Sequence, residues 1–266
     1  MAELRAYAAM VAGKFRSVTS YRASFTFEVL GNLGSTVLDV LTVFVLFRAA
    51  TVVGGFTLAE AVLMTGLAVA GFVLCDAVVG NIDDLKKYVR SGTLDTILLR
   101  PLGVLPQLVF LDLPIRKVLR VAFGLTVYGV ALRANHLDWT PPRVLLAVLA
   151  PLGGAVFFGA IFVLSASVAF WWVDSGELGN GFTYGGRDFT AYPVSVYGGW
   201  FRDLFAYALG FAFVSYQPAL ALLGRGDPLG LPAWAGFAAP LVCLPATLVA
   251  ALVWRSGVRH YRSTGS

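Results

Sequence analysis

The sequence predicts an all-α integral membrane protein: six transmembrane helices, an N-terminal amphipathic helix at the interface, a helical cytoplasmic loop, and both termini on the cytoplasmic side. Three observations predict it. Charged residues make up 13% of the chain, where a soluble domain carries about 25%. The apolar stretches run for about twenty residues or more, without the short alternation of barrel strands, and so are long enough to cross a bilayer as helices. The basic residues collect on one side of those stretches. With 58% hydrophobic residues and a mean hydropathy of +0.77, the chain reads as one transmembrane domain over 1–266.

Residues 1–22 come first. Leu4, Tyr7, Ala8, Val11, Phe15 and Val18 recur at spacings of three and four, with Arg5, Lys14, Arg16 and Arg22 off that face. Such a helix lies on the membrane surface or packs on a partner. These residues lack the uninterrupted apolar core of a cleavable signal peptide. The first span is about 26–48. Glu28 lies near its start and Asp39 well inside it. A charge within a span is costly and faces protein or water. Asp39 is therefore either a polar wall of a pathway or a helix–helix contact beside Gly31, Gly34 and Ser35.

Gly54-Gly55 leads to the second span, about 58–80, whose Gly66, Ala68, Ala70 and Gly71 suit close helix packing. Asp76 sits near its end. The charged stretch 80–102, GNIDDLKKYVRSGTLDTILLRPL, follows. Ile82, Leu85, Tyr88 and Val89 share one helical face; Asp83, Asp84, Lys86, Lys87 and Arg90 lie elsewhere. Acidic residues open this helix and basic ones close it, as the helix dipole favours. Gly92 breaks it and Thr93 caps a second turn. The stretch is either a lever that sits in a groove on a soluble partner or an ordinary solvated loop. The third span is about 103–132. Asp112, Pro114, Arg116, Lys117 and Arg120 intrude in its first half, so 103–118 is expected to be partly interfacial.

The loop 134–143 places Trp139 at an interface. The fourth span, about 144–173, is long enough to tilt or to kink near Pro151. Residues 174–200 are rich in glycine and aromatics and end at an interface. The fifth span lies within 195–223, with Pro218 dividing it from a short outer helix. A turn-rich loop, 225–232, precedes the sixth span, about 233–254, and a basic tail. Six spans place both ends on one side. Most of the 20 lysines and arginines fall in the end segments and even-numbered loops, against Arg48, Arg133, Arg143 and Arg225 on the other side. The termini and the 81–100 loop are then cytoplasmic.

Several chemistries are excluded. No GxxxxGK[ST] loop is present to hold a nucleotide. Of the two histidines, His136 falls on the outer side and His260 in the tail, so no histidine cluster is expected for metal or proton chemistry. Cys75 and Cys243 lie in apolar segments and read as small buried residues. Asp83-Asp84 has no second cytoplasmic carboxylate cluster with which to hold a catalytic ion, and no GxSxG nucleophile setting occurs. The net charge of +5 and pI near 9.4 follow from cytoplasmic loops; no nucleic-acid module accompanies them. No catalytic or metal residue is assigned.

The run 80–102 resembles the loop of ABC-2 type transporter permeases, in the six-span group with a G-x-L-D-x-x-L-x-R-P-L signature. Gly92, Leu94, Asp95, Leu98, Arg100, Pro101 and Leu102 match it. Tyr192, Pro193, Tyr197, Gly199, Trp200, Phe213, Tyr216 and Pro218 are similar to that group's second block. The resemblance implies the transmembrane half of an ATP-driven exporter. Two permease chains, different or identical, would pair with a dimer of ABC ATPase subunits in the bacterial cytoplasmic (inner) membrane, with ATP and Mg on that partner and no cofactor on this chain. It implies an ATPase-coupling set of Ile82, Asp83, Asp84, Leu85, Tyr88, Arg90, Gly92, Leu94, Asp95, Arg100 and Pro101. It places a substrate path along spans 1, 2 and 5, for which Asn32, Ser35, Asp39, Thr42 and Thr65 are the polar candidates, and an outer gate near Tyr216 and Pro218. An apolar, aromatic path favours an amphiphile, a hydrophobic cation or a lipid. The rival reading is a membrane-embedded lipid-modifying enzyme or a non-transporting scaffold subunit.

Overall fold

A computed structural model describes residues 22–49, 51–110, 117–172 and 176–261, and every element in them is helical. The expected amphipathic helix at the N-terminus falls almost wholly outside the described residues.

The centre of the bundle is α2 (Leu58–Val79), apolar on all sides and buried along most of its length, as expected of a helix with no polar face. Thr57 opens it: its main-chain NH donates to the Glu60 carboxylate at 2.8 Å, satisfying one of the free amides at a helix start. Small residues let its neighbours come close. A Cβ on Gly66 would stand 3.1 Å from the Tyr128 Cα, and one on Gly71 3.2 Å from the Gly154 carbonyl carbon. Those neighbours are α6 (Val118–Ala134) and α7 (Pro141–Ser167). On α6, Arg120, Gly124, Tyr128 and Ala131 make the buried stripe that faces α2. The α6 helix begins at Val118, inside the predicted span 103–132, whose first part is a separate short helix, α5 (Val104–Phe110).

Helix α1 (Arg22–Ala49) is attached far more lightly. Among its described side chains Val29, Thr36 and Val43, seven residues apart, are buried; Phe27, Leu38 and Val45 stand open. The last long helix, α12 (Cys243–His260), which follows the short α11 (Trp234–Ala238), lies along α7 and leaves Leu244, Leu248 and Leu252 exposed.

Between α2 and α6, the charged stretch expected to hold a helix, a break at Gly92 and a second helical turn is a folded cap. A 3-10 turn (Gly80–Asp84) leads into α3 (Leu85–Arg90) and α4 (Thr93–Leu98). Gly92, at φ 67°, makes the left-handed turn between them and, rather than Thr93, holds the cap position of α4. Ile82, Leu85, Val89, Leu94 and Ile97 pack with Ala160 and Val163 of α7, Phe170 of the 3-10 turn that ends it (Val168–Phe170), and Trp254 of α12. Gln107 of α5 is fully buried and donates to the Ile97 and Leu102 carbonyls, at 3.2 and 3.0 Å.

Two expectations change. The glycine- and aromatic-rich run after the fourth span contains a 16-residue helix, α8 (Gly176–Ala191), about 24 Å long. It packs on α2 and α7 and runs from the cap end, where Tyr184 reaches Asp83, to the opposite end, where the Ala191 carbonyl accepts from Thr65. The predicted fifth span within 195–223 is not one helix. It comprises α9 (Gly199–Arg202), a π-helical turn (Asp203–Ala208), a 3-10 turn (Phe211–Phe213) and α10 (Tyr216–Leu223), with a 59° bend at its middle. Gly210, at φ 88°, makes the corner. Both flanks of this unit touch the Thr57 end: Ser195 donates to the Gly54 carbonyl at 2.7 Å, and Arg225 pairs with Glu60 at 2.8 Å. The chain therefore dips into the bundle and returns. Its tip, Phe211, lies edge-on to Phe157 of α7 with centroids 5.3 Å apart.

Among the described residues, four helices are long and apolar enough to cross a membrane, or five if the bent unit counts as one span. Helices α6, of 17 residues, and α8 lie beside them.

Candidate functional site

Charged groups that the sequence scatters over four helices meet in the interior. Asp76, near the end of α2, is buried. Lys117 donates to its carboxylate and to its main-chain carbonyl, both at 2.9 Å. Arg120 of α6 donates to the other carboxylate oxygen at 2.8 Å and to the Thr36 hydroxyl of α1, also at 2.8 Å. One acid thus ties α2 to α6, and one guanidinium ties α6 to α1. Close by, Arg187 of α8 donates to Asp39 of α1 at 2.7 Å and touches its neighbour Asp188 at 3.1 Å. Phe72 joins the two groups: its ring lies 5.6 Å from the Arg120 guanidinium and 5.1 Å from that of Arg187, within cation–π range. Unpaired, each charge would be expensive in an apolar interior; paired and hydrogen-bonded, it holds specific helices in register.

Beside this network is a cavity of about 330 Å³ between α1, α2 and α8, lined by Asp39, Thr42, Val69, Arg187, Asp188 and Tyr192 among others. Of the predicted pathway residues, it brings together Asp39 and Thr42. Thr65 is buried in a structural contact, donating to the Ala61 and Ala191 carbonyls at 2.9 and 2.8 Å. Ser35 is exposed on α1. The Asn32 side chain lies outside the described set.

At the cap, Ile82 and Leu85 are 0% exposed and Leu94 is equally buried. The face expected to dock on a partner is turned into the bundle, with Tyr88 half-buried beside it. Asp83 accepts from the Tyr184 hydroxyl at 3.2 Å, and Asp84 pairs with Lys87 at 2.6 Å. Asp95 accepts from Tyr261 at 3.1 Å. Burial, and then Asp95 itself, push the Tyr261 phenol above its ordinary range. Lys87, Arg90, Leu99, Arg100 and Pro101 point outward; Leu99 is 85% exposed.

At the opposite end, Tyr216 is fully buried and Pro218 sits inside α10. Tyr216 and Gln217 both donate to Asp227, at 3.2 and 2.7 Å. Arg225 binds Glu60, reaches the Gly55 carbonyl at 3.0 Å and covers the Phe56 ring at 4.4 Å. The bent unit is thereby clasped to the start of α2.

Sequence reasoning flagged Asp39 and Asp76 but missed their partners. Lys117 and Arg120 registered only as intrusions in a span, and Arg187 only as a loop cation. The usable signal was the cost of an unpaired charge at membrane depth, which requires a cation near each acid without naming it.

A family model described as "ABC-2 family transporter protein" matches residues 33–265. No curated protein and no solved structure matches the chain.

Proposed function

The chain belongs to the ABC-2 family of transporters, and from that premise we propose that it is the transmembrane permease of an ABC exporter, moving an amphiphilic or hydrophobic compound out of the cell. In this reading α1, α2, α6, α7, α8 and α12 are the six spans, and the unit 199–223 is a re-entrant hairpin at the outer mouth. The 80–102 cap and both termini are cytoplasmic, which agrees with the excess of Lys and Arg at those positions. The membrane is the bacterial cytoplasmic membrane. A separate pair of ABC ATPase subunits supplies the energy, with ATP and Mg bound there, and a second permease chain completes the pathway.

The observation that carries this reading is the construction of the cap. Its apolar face is fixed to the ends of α7 and α12 through Leu85, Val89 and Phe170. Its basic edge, Lys87, Arg90 and Arg100 with Leu99, is left outward. A partner pressing on that edge moves a rigid body. The cap is continuous with α2 through Gly80, and Lys117 ties Asp76, one turn earlier, to the start of α6. Motion of the cap therefore reaches α2, α6, α7 and α12 together. ATP-driven closure of the partner would shift the packing of the bundle between inward-facing and outward-facing states. The path lies between the two permeases along α1, α2 and α8.

Affinity purification from the native host in mild detergent tests the proposal. A phosphate-loop ATPase should co-purify, and Leu99→Cys should cross-link to it. Purification without any nucleotide-binding partner at native expression would sink the exporter reading.

A further inference from the structure

We infer that the cavity between α1, α2 and α8 takes the head of a lipophilic monocation, and that this ligand binds by replacing Arg187 at Asp39. The inference rests on the exporter reading for its biological meaning, but the site stands on its own geometry. The cavity, about 330 Å³, is of the size that holds a small-molecule head group. Two carboxylates and one guanidinium reach it, so its local charge is negative. The distribution matters as much as the sum. The Asp188 side chain is 64% exposed and that of Asp39 22%, while that of Arg187 is 15% exposed, laid on the Phe72 ring. Asp188 is thus the charged group most open to an entering ligand, and Arg187 the least.

The other cations do not reverse this. Lys117 and Arg120 are bound to Asp76, which offsets their charge, and neither lines the cavity, although Arg120 reaches Thr36 one turn before Asp39 on α1. Thr42 donates its proton to the Leu38 carbonyl at 2.8 Å, so its hydroxyl oxygen can serve the cavity only as an acceptor. Acceptors on the wall suit an ammonium, a sulfonium or a phosphonium. With Arg187 already bridging the two acids, the site does not offer the clustered free oxygens that a metal ion needs. The remaining walls are the apolar Ala68, Val69 and Ala191 and the aromatic Tyr192. The neighbouring α1 residues Leu38, Leu41 and Val45 are open and give an apolar body a surface to lie on.

The ion pair is also a strap. Arg187–Asp39 joins α8 to α1, and Arg120–Thr36 joins α6 to α1; among the described side chains of α1, the buried apolar ones are Val29 and Val43. A cation that takes Asp39 releases one of these ties. Binding and the freeing of α1 then favour each other, because the coupling is reciprocal.

The test uses the whole chain in lipid nanodiscs, without ATPase. It measures binding of tetraphenylphosphonium and of its size-matched anion, tetraphenylborate, after subtracting uptake by empty nanodiscs of the same lipid. Saturable binding of the phosphonium, about tenfold tighter than the borate, is expected. Asp188→Asn, at an exposed position that folding tolerates, should weaken the phosphonium about fivefold. Asp39→Asn should weaken it more. Arg187→Gln should tighten it, since the competitor is gone. Opposite signs for Arg187 and Asp39 distinguish exchange from general loss of structure, and thermal unfolding of each variant checks the fold. Tighter binding of the borate, or phosphonium binding that none of the three variants changes, overturns the inference. Phosphonium binding in a chain that captures no ATPase would retain the site and reject the exporter; an ATPase partner with no phosphonium binding would do the reverse.

Discussion

Lys117 Nζ bonds both the carboxylate and the main-chain carbonyl of Asp76 at 2.9 Å, one turn before Gly80 begins the cap. A side chain that grips a helix by its own backbone at the point where the helix passes into a cap transmits displacement in either direction. Arg120 completes the grip on the other carboxylate oxygen at 2.8 Å.

This cluster predicts a graded loss of stability. Asp76→Leu leaves two cations without their acid, and stranding a buried charge costs about 3–5 kcal/mol. Arg120→Met should cost more than Lys117→Met, because the Arg120 side chain is 7% exposed and that of Lys117 20%. Thermal unfolding of the three variants in one detergent gives the order. Equal, small losses would mean that water reaches the cluster.

The two leucines of the cap should separate folding from coupling. Leu85 is 0% exposed and Leu99 85%. Leu85→Ala opens a cavity against the end of α7 and should lower stability by about 2–5 kcal/mol. Leu99→Asp should leave stability within about 0.5 kcal/mol of the parent but lower capture of the ATPase and its stimulated rate. Unfolding curves and ATPase assays on the same preparations decide it. Unchanged capture with Leu99→Asp places the docking surface elsewhere.

The same pair shows what the sequence made legible. A helical period in 81–90 revealed that an apolar face exists; it could not reveal whether a partner or the bundle covers it, because both bury Leu85 alike. Asp39 and Asp76 stood out because a charge in an apolar run is costly. Their partners did not, since Arg187 lies in a run whose glycines hide the helix: Gly179 and Gly186 face Ser165 and the Phe211 ring, so small size serves packing there. The bent unit 199–223 is as apolar as a span. What makes it return is the pairing of Ser195 with Gly54 and of Arg225 with Glu60, contacts across more than a hundred residues that no local pattern encodes.

Those contacts at the Thr57 end predict a local opening. Arg225→Gln removes the Glu60 ion pair and the cover over Phe56. Hydrogen exchange should rise at the main-chain amides of Tyr216–Leu223 and of Gly54–Phe56 while α7 stays protected, as expected when a clasp is lost without global unfolding. Uniform exchange across all helices would show instead that the pair supports the whole bundle.

The glycines of α8 should respond in opposite ways. A Cβ on Gly186 would overlap the Phe211 ring, the tip of the hairpin, whereas nothing lies within 4 Å of one on Gly181 or Gly185. Gly186→Ala should therefore lower stability, since a well-packed contact must shift. Gly181→Ala should be neutral or stabilising in the isolated chain, because alanine exceeds glycine in a helix by about 0.5–1 kcal/mol. Gly181 and Gly185 stand four apart on the side of α8 that also carries the exposed Asp188, a spacing that lets a second helix approach closely. Bulk at these positions, as in Gly181→Leu with Gly185→Leu, should leave the unfolding temperature of the single chain near that of the parent but reduce cross-linking to a second permease chain in membranes. Retained cross-linking in the double variant would move the partner chain off this face and leave α8 to the cavity alone.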